Sequence, residues 1–302
     1  MKKYRSFAHS CVGASHLRRE LICQDFSLCA DRKKYSFAAV ADGHGSLCYL
    51  RTERGSRFAA ECALECTDEF MESLEQAEEV LSSERERASL LNQLWRSIVS
   101  RWHERVEADF ANEPFTEEEL NRIPEKYAYY KKRYASGRYI DAYGTTLAFA
   151  VASKTFAFCI QLGDGSCTAL FADGTAVSPI PDDPECHDNV TTSMCQDDAV
   201  LSARFCYFSE YRLPTAIFLG TDGVGNSYCN EEQLHGFYRG LALTIAENGL
   251  DEGVRQLENF LPDMTKKGSG DDVSCAGVID LKALKKCMIK LSEDKNGQYE
   301  SE

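Results

Sequence analysis

The sequence predicts an α+β protein in which sheets and helices occupy separate layers. Three observations support this. Short apolar runs that read as strands recur along the chain, and two long amphipathic repeats sit as a block after the first of them. A second helical pair then precedes the last. Elements grouped in this way imply layers of like kind, where a parallel sheet would show strict strand-helix alternation.

The elements follow in order. Tyr35 to Ala41 (YSFAAVA) is short and mainly apolar and reads as a buried strand delivering Asp42-Gly43 to a loop. Phe58, Cys62, Cys66, Phe70, Leu74, Ala77 and Leu81 recur at spacings of three and four, as do Leu91, Trp95, Ile98, Trp102, Val106 and Phe110, giving two helices with one apolar face each. Ser83 and Glu86 form a capping-box signature for the second helix, and Pro114 bars its continuation. Residues 113–138, rich in tyrosine (Tyr127, Tyr129, Tyr130, Tyr134), read as an insertion on the helical side whose aromatics serve packing. Thr145 to Ala152, Thr155 to Leu162, Ser166 to Ala172 and Thr215 to Gly220 are further strands, with Asp173-Gly174 as a hairpin turn. Glu231 to Asn248, capped by Asn230 and stopped by Gly249, and Glu252 to Phe260 supply the second helical pair. Val273 to Leu281 closes the strand series. Residues 1–281 therefore form one domain, and 282–302 form a polar tail that begins as a short helix and passes into disorder.

Composition narrows the function. With 302 residues, 43% hydrophobic and 27% charged, the chain is ordinary globular material. A formal charge of -14 disfavours a nucleic-acid backbone as partner. No apolar run approaches the roughly 20 residues needed to cross a bilayer, and no secretion signal opens the chain, so a cytoplasmic location and no membrane partner are expected. The 14 cysteines fall in strand-like and helix-like segments without a CxxC pair and read as reduced thiols. A zinc site from Cys186, His187 and Cys195 is the weaker reading of that cluster.

Aspartates beside small residues at strand ends carry the chemistry. Asp42 lies in Ala41-Asp42-Gly43-His44-Gly45, Asp164 in Gly163-Asp164-Gly165, Asp222 in Thr221-Asp222-Gly223 and Asp271 in Gly270-Asp271-Asp272, while Asp25 follows Gln24. A strand end fixes a carboxylate, and adjacent glycines let carbonyls and water approach, as Mg²⁺ and Mn²⁺ prefer. Taken singly, each Asp-Gly is equally a turn, and Asp173-Gly174 is one.

As an ordered set, Gln24-Asp25, VADGHG (Val40 to Gly45), YGTTL (Tyr143 to Leu147), LGDG (Leu162 to Gly165), GTDGV (Gly220 to Val224) and GDDVS (Gly270 to Ser274) resemble the type 2C, or PPM-type, metal-dependent protein serine/threonine phosphatases from about Gly13 to Leu281. The opening Gly13-Ala14-Ser15-His16 resembles the bacterial stand-alone subgroup. The resemblance implies a four-layer α-β-β-α sandwich of two antiparallel sheets flanked by helix pairs. It further implies hydrolysis of phosphoserine or phosphothreonine by water activated between two Mn²⁺ or Mg²⁺ ions, with a third, weaker ion possible. Asp42 would bridge the ions, the Gly43 carbonyl would ligate one, Asp222 and Asp271 would ligate the other, Asp25 would support the cluster, and Asp164 would serve the third ion. His44 would be the general acid, a role suited to a side chain titrating near neutrality. The phosphate grip lies among His16, Arg18 and Arg19, with guanidinium geometry favouring Arg19. Gln24 stands where many relatives carry an acid, and residues 179–209 fall where relatives carry a flap. A phosphoprotein substrate, a kinase of the same pathway and a monomer are the expected partners and state. A non-catalytic phosphoprotein-binding member and a small-molecule phosphohydrolase are the alternatives.

Overall fold

The computed structural model describes residues 3–74, 83–186 and 190–287. Two five-stranded antiparallel sheets form its centre. The first runs β2 (Phe26–Asp31), β3 (Tyr35–Ala41), β4 (Leu147–Ser153), β5 (Phe156–Leu162) and β8 (Arg204–Ser209). The second runs β1 (Arg5–Cys11), β10 (Val273–Ile279), β9 (Ala216–Gly220), β6 (Ser166–Leu170) and β7 (Ala176–Val177). Helices α2 (Thr52–Ser73) and α3 (Glu84–Asn112) cover the first sheet, and α8 (Glu231–Asn248) and α9 (Leu250–Lys267) cover the second. The expected α-β-β-α layering is present. No helix among the described residues is long and apolar enough to cross a membrane.

The central strands read as continuously apolar because both of their faces are buried. Their two faces differ in size, following the period of two. On β4, Leu147, Phe149 and Val151 point to the helices, and Ala148, Ala150 and Ala152 point between the sheets. On β3, Phe37 and Ala39 face the helices and Ala38 and Val40 face inward, and β5 repeats the pattern with Phe158 and Ile160 against Ala157 and Cys159. Large side chains thus fill the sheet-helix layers, and mainly small ones fill the layer between the sheets.

Several expectations are adjusted. Ser83 is the N-cap of α3 but makes no side-chain cap bond, so the expected capping box does not form there; Glu84 and Glu86 instead favour that helix end by their charge. A capping box does form at α4 (Glu117–Asn121), where Thr116 Oγ1 accepts the Glu119 N–H at 3.2 Å and Glu119 Oε2 accepts the Thr116 N–H at 2.8 Å. Ala77 and Leu81, expected to extend α2, lie outside the described residues. Helix α9 runs past Phe260 and through Pro262, because Leu261, Met264 and Thr265 are buried against the core while Pro262 is on the exposed face. The 179–209 segment ends in β8, so its last six residues are sheet and not flap. Residues 281–287 are helical, and Leu284 and Cys287 are buried, which ties the start of the expected tail to the domain; the rest of the tail lies outside the described residues.

The 113–138 insertion folds as α4, a 3₁₀ turn at Glu125–Tyr127 and α5 (Ala128–Ala135). It is fastened through Arg51, which is 1% exposed. Its guanidinium donates to the Glu113 carbonyl at 2.5 Å and to the Tyr143 hydroxyl at 3.0 Å, pairs with Glu119 at 3.2 Å, and lies over the Phe115 ring. A buried charge with this many partners is strongly held, and removing it would leave those partners unmatched.

Candidate metal centre

The glycine-flanked aspartates come from both sheets and meet at one end of the sandwich. Asp25 directly precedes β2 and Asp42 directly follows β3 in the first sheet. Asp222 opens the short helix α7 (Asp222–Gly225) after β9, and Asp271 stands two residues before β10 in the second.

Two local fits hold these loops. The Asp42 carbonyl accepts the Thr146 N–H at 2.9 Å and the Thr145 hydroxyl at 2.8 Å, the Asp42 N–H donates to Thr146 Oγ1 at 3.1 Å, and the His44 N–H donates to the Gly144 carbonyl at 3.2 Å. The YGTTL segment is therefore the clamp on the DGHG loop. Gly144 must lack a side chain, since a Cβ there would stand 2.5 Å from Cδ2 of His44. The second fit joins TDG to GDD: a Cβ on Gly223 would stand 2.0 Å from the Asp272 carbonyl oxygen.

The electrostatics are those of carboxylates crowded together. The half-buried Asp42 and Asp222 carboxyls lie close enough for each to perturb the ionisation of the other. Burial, then the charges of Asp25 and Asp222, hold the Asp42 carboxyl well above the usual range. Burial and the charge of Asp272 likewise raise Asp25, although Thr221 donates to Asp25 Oδ2 at 2.8 Å. Asp222 is raised by burial, with Asp164 and Asp271 adding. Crowded carboxylates, partly withdrawn from water and held above their usual pKa range, are chemically matched to hard divalent cations, which would offset their mutual repulsion. The residues therefore fit the ions that the resemblance implies. Among the described residues no three Asp, Glu, His or Cys side chains are already gathered around one point as a closed cage. Asp271, with its side chain 52% exposed, and the exposed Asp164 stand at the margin. Asp164 accepts the Thr191 hydroxyl at 2.9 Å.

Other expected residues are placed differently. Burial pushes the His44 imidazole down to about 4, so it is neutral at pH 7 and does not titrate near neutrality as expected. Its Nε2 is 2.7 Å from Ser193 Oγ, and its ring packs edge-on against Tyr49. Tyr49, Tyr129, Tyr130, Ser193 and Gln196 join it around a pocket of about 300 Å³, so part of the tyrosine insertion faces the site as well as packing. Arg18 and Arg19 are exposed at the end of α1 (Ala14–Arg18), and among the described residues neither makes a side-chain hydrogen bond or ion pair. Arg19 is close enough for its charge to act on His16. His16 is 5% exposed and bound to Asp272. All 14 cysteines are free; Cys186 Sγ lies 3.6 Å from Thr191 Oγ1, and His187 of the weaker zinc reading is outside the described residues.

Asp272 was legible in the sequence only as the second half of a doubled aspartate. It is 2% exposed and accepts the Gly13 N–H at 2.6 Å, the Gln24 N–H at 2.6 Å and His16 Nδ1 at 2.9 Å. Burial acts to raise its pKa, but the hydrogen bonds from His16, Gly13 and Gln24 outweigh it and leave the carboxyl below the usual range. Ser193 carried no sequence signal beyond lying in the flap-like stretch.

Comparison with solved structures places the fold in known company. PppA, described as a key regulatory component of T6SS in Pseudomonas aeruginosa, is 18% identical, with 91% of this chain and 97% of that chain covered and a TM-score of 0.54. A C. elegans sex-determining protein is 15% identical, with 95% and 68% covered and a TM-score of 0.58. The Mycobacterium tuberculosis serine/threonine phosphatase PstP/Ppp is 15% identical, with 91% and 98% covered and a TM-score of 0.52. No curated protein sequence matches. The family model described as protein phosphatase 2C matches residues 12–262, and with its sheets, loops and carboxylates in that family's order, the chain belongs to the protein phosphatase 2C family.

Proposed function

We propose that the chain is a metal-dependent phosphoprotein phosphatase acting on phosphoserine and phosphothreonine. The observation that carries this reading is the convergence of Asp25 and Asp42 from one sheet with Asp222 and Asp271 from the other, where burial and acidic neighbours raise the pKa values of Asp25, Asp42 and Asp222. Asp42 and the Gly43 carbonyl would hold one cation, and Asp42, Asp222 and Asp271 a second, with Asp25 supporting and Asp164 available to a third. When bound, such ions lower the pKa of water and clamp an in-line displacement at phosphorus. The chain's own residues orient the reaction. The Thr145 and Thr146 bonds fix Asp42, and Ser193 fixes the His44 ring beside it. The neutral imidazole can hydrogen-bond the leaving oxygen, and a seated phosphate dianion would offset burial and favour its proton. The pocket beside His44 would receive substrate residues flanking the phosphoamino acid. The proposal includes Mn²⁺ or Mg²⁺ as cofactor, a phosphoprotein made by a kinase of the same pathway as substrate, and action as a monomer in the cytoplasm.

The test is hydrolysis of a phosphothreonine peptide by metal-stripped protein with Mn²⁺ or Mg²⁺ restored, beside Asp42→Asn and Asp222→Asn. Metal-dependent turnover lost in both variants is expected. A second reading, a regulatory family member that binds phosphoproteins without hydrolysing them, is favoured by the low pKa of His44. Tight Mn²⁺ binding with no turnover on any phosphopeptide would establish it instead. Turnover of nucleotides or sugar phosphates in preference to peptides would move the substrate class to small molecules.

A further inference from the structure

The Asp272 contacts leave one histidine nitrogen aimed into the carboxylate cluster. Both oxygens of Asp272 accept from backbone N–H groups, Oδ1 from Gly13 and Oδ2 from Gln24, and those groups can only donate. The remaining contact, His16 Nδ1 at 2.9 Å from Oδ1, is then also a donor, so Nδ1 carries a proton and Nε2 is the nitrogen open to another partner. His16 is 5% exposed, and among the described residues its Nε2 has no hydrogen-bond partner. The neighbouring acceptor, Asp271 Oδ1, is 3.6 Å away, beyond hydrogen-bonding range. A second polar atom is orphaned at the same place. Gln24 Oε1 is buried without a partner, and both it and His16 Nε2 border Gly45 of the DGHG loop, 3.6 and 4.0 Å from where its Cβ would be.

An imidazole nitrogen and an amide oxygen thus border the DGHG loop, with a carboxylate oxygen 3.6 Å from the nitrogen, and each can ligate a cation that displaces any proton from Nε2. Such a set suits a cation. A carboxylate that fixes the tautomer of a histidine whose other nitrogen is free is the usual support of a metal-bound histidine. Two donors each about 2.1 Å from one ion are separated by about 3–4 Å, and the Nε2 to Oδ1 distance lies in that span.

We propose that His16 is a nitrogen ligand of the cation held by Asp271, with Asp272 as its positioning residue, and that it biases the centre toward Mn²⁺ over Mg²⁺. This rests on the metal-dependent reading above. Imidazole suits first-row transition ions, whereas Mg²⁺ prefers oxygen and water, so one nitrogen shifts the preference.

The test is spin-echo modulation spectroscopy of Mn²⁺ bound to the full chain, with Mn²⁺ and Mg²⁺ affinities measured by titration calorimetry. Modulation from a directly bonded imidazole nitrogen is expected in the wild type and in His44→Gln, and lost in His16→Gln. Mn²⁺ affinity should fall about tenfold or more in His16→Gln, and more than Mg²⁺ affinity. Should His16→Gln fail to fold, ¹⁵N-histidine labelling of the wild type together with His44→Gln makes the same assignment. Bound Mn²⁺ without nitrogen modulation in the wild type would overturn the ligand assignment and leave the metal centre standing, as would weakened inorganic phosphate binding in His16→Gln with Mn²⁺ affinity unchanged. No Mn²⁺ binding at all would overturn both.

Discussion

Replacing Gly223 by alanine tests whether the TDG and GDD loops form one unit. An added Cβ would lie 2.0 Å from the Asp272 carbonyl oxygen and 3.1 Å from both its carbonyl carbon and Val273 Cγ1. Ordinary contact begins near 3.4 Å, so the two backbones must separate by more than 1 Å, and no flexible side-chain end is available to yield. Overpacking of this kind costs about 1–3 kcal/mol. Because Asp222 directly precedes Gly223 and Asp271 directly precedes Asp272, the displacement also moves two carboxylates relative to each other, and a misplacement of about 1 Å can cost about 100-fold in function. Gly225→Ala is the internal control, since it lies in the same short helix with nothing within 4 Å of the added Cβ. Denaturant unfolding and Mn²⁺ calorimetry are the assays. Gly223→Ala should lose about 1–3 kcal/mol and at least tenfold in Mn²⁺ affinity, while Gly225→Ala keeps both. Equal stability and affinity in the two variants would refute the argument that close backbone contact spaces the carboxylates.

The remaining predictions concern charge and positioning. Asp25 and Asp42 have folded pKa values raised above their unfolded ones, so their contribution to metal-free stability is present below the unfolded carboxylate pKa and is lost as pH rises through the folded values. Metal-free Asp42→Asn should accordingly melt above metal-free wild type at pH 8, by about 0.5–2 kcal/mol, and saturating Mn²⁺ should reverse the order, as scanning calorimetry would show. Arg51→Met should cost about 3–5 kcal/mol in denaturant unfolding, because the Glu113 carbonyl loses its donor and Glu119 and Tyr143 each lose a buried contact. Ser193→Ala should lower kcat on a phosphothreonine peptide by about tenfold with little change in KM, since it frees the His44 ring and reaches Asp42 only through Thr145; an equal loss in Mn²⁺ affinity would contradict that separation.

The strands legible in the sequence were those buried on both faces. β3, β4, β5, β6, β9 and β10 are buried at nearly every position and mostly apolar, broken by single polar residues such as Ser36, Gln161 and Ser274. The strands that were not read directly, β1, β2, β7 and β8, are the four sheet edges. Edge strands need only one covered neighbour, so RSFAHSC and FSLCAD carry Arg, Ser, His and Asp at partly buried positions and lose the pattern that marks a strand. The aspartates were legible because strand ends and glycines flag them. The role of His16 was not, because it depends on Asp272, which is 256 residues away in sequence. Its neighbours Arg18 and Arg19 offered the more familiar phosphate chemistry. The low pKa of His44 is likewise a property of burial by segments remote in sequence.

The first sheet faces the layer between the sheets mainly with alanine (Ala38, Ala148, Ala150, Ala152 and Ala157), and Ile217, Leu219 and Val278 of the second sheet meet it. Asp25 and Asp42 hang from one sheet and Asp222 and Asp271 from the other. The thickness of that layer is thus a calliper whose jaws are the carboxylates, set by methyl groups well away from the loops. Methyl groups have no rotamers to adjust, so the opening is stiff, and the span of the centre is a property of the whole body of the protein. Adding even two carbons at Ala150, which is fully buried, would be felt as a change of gauge at the far end.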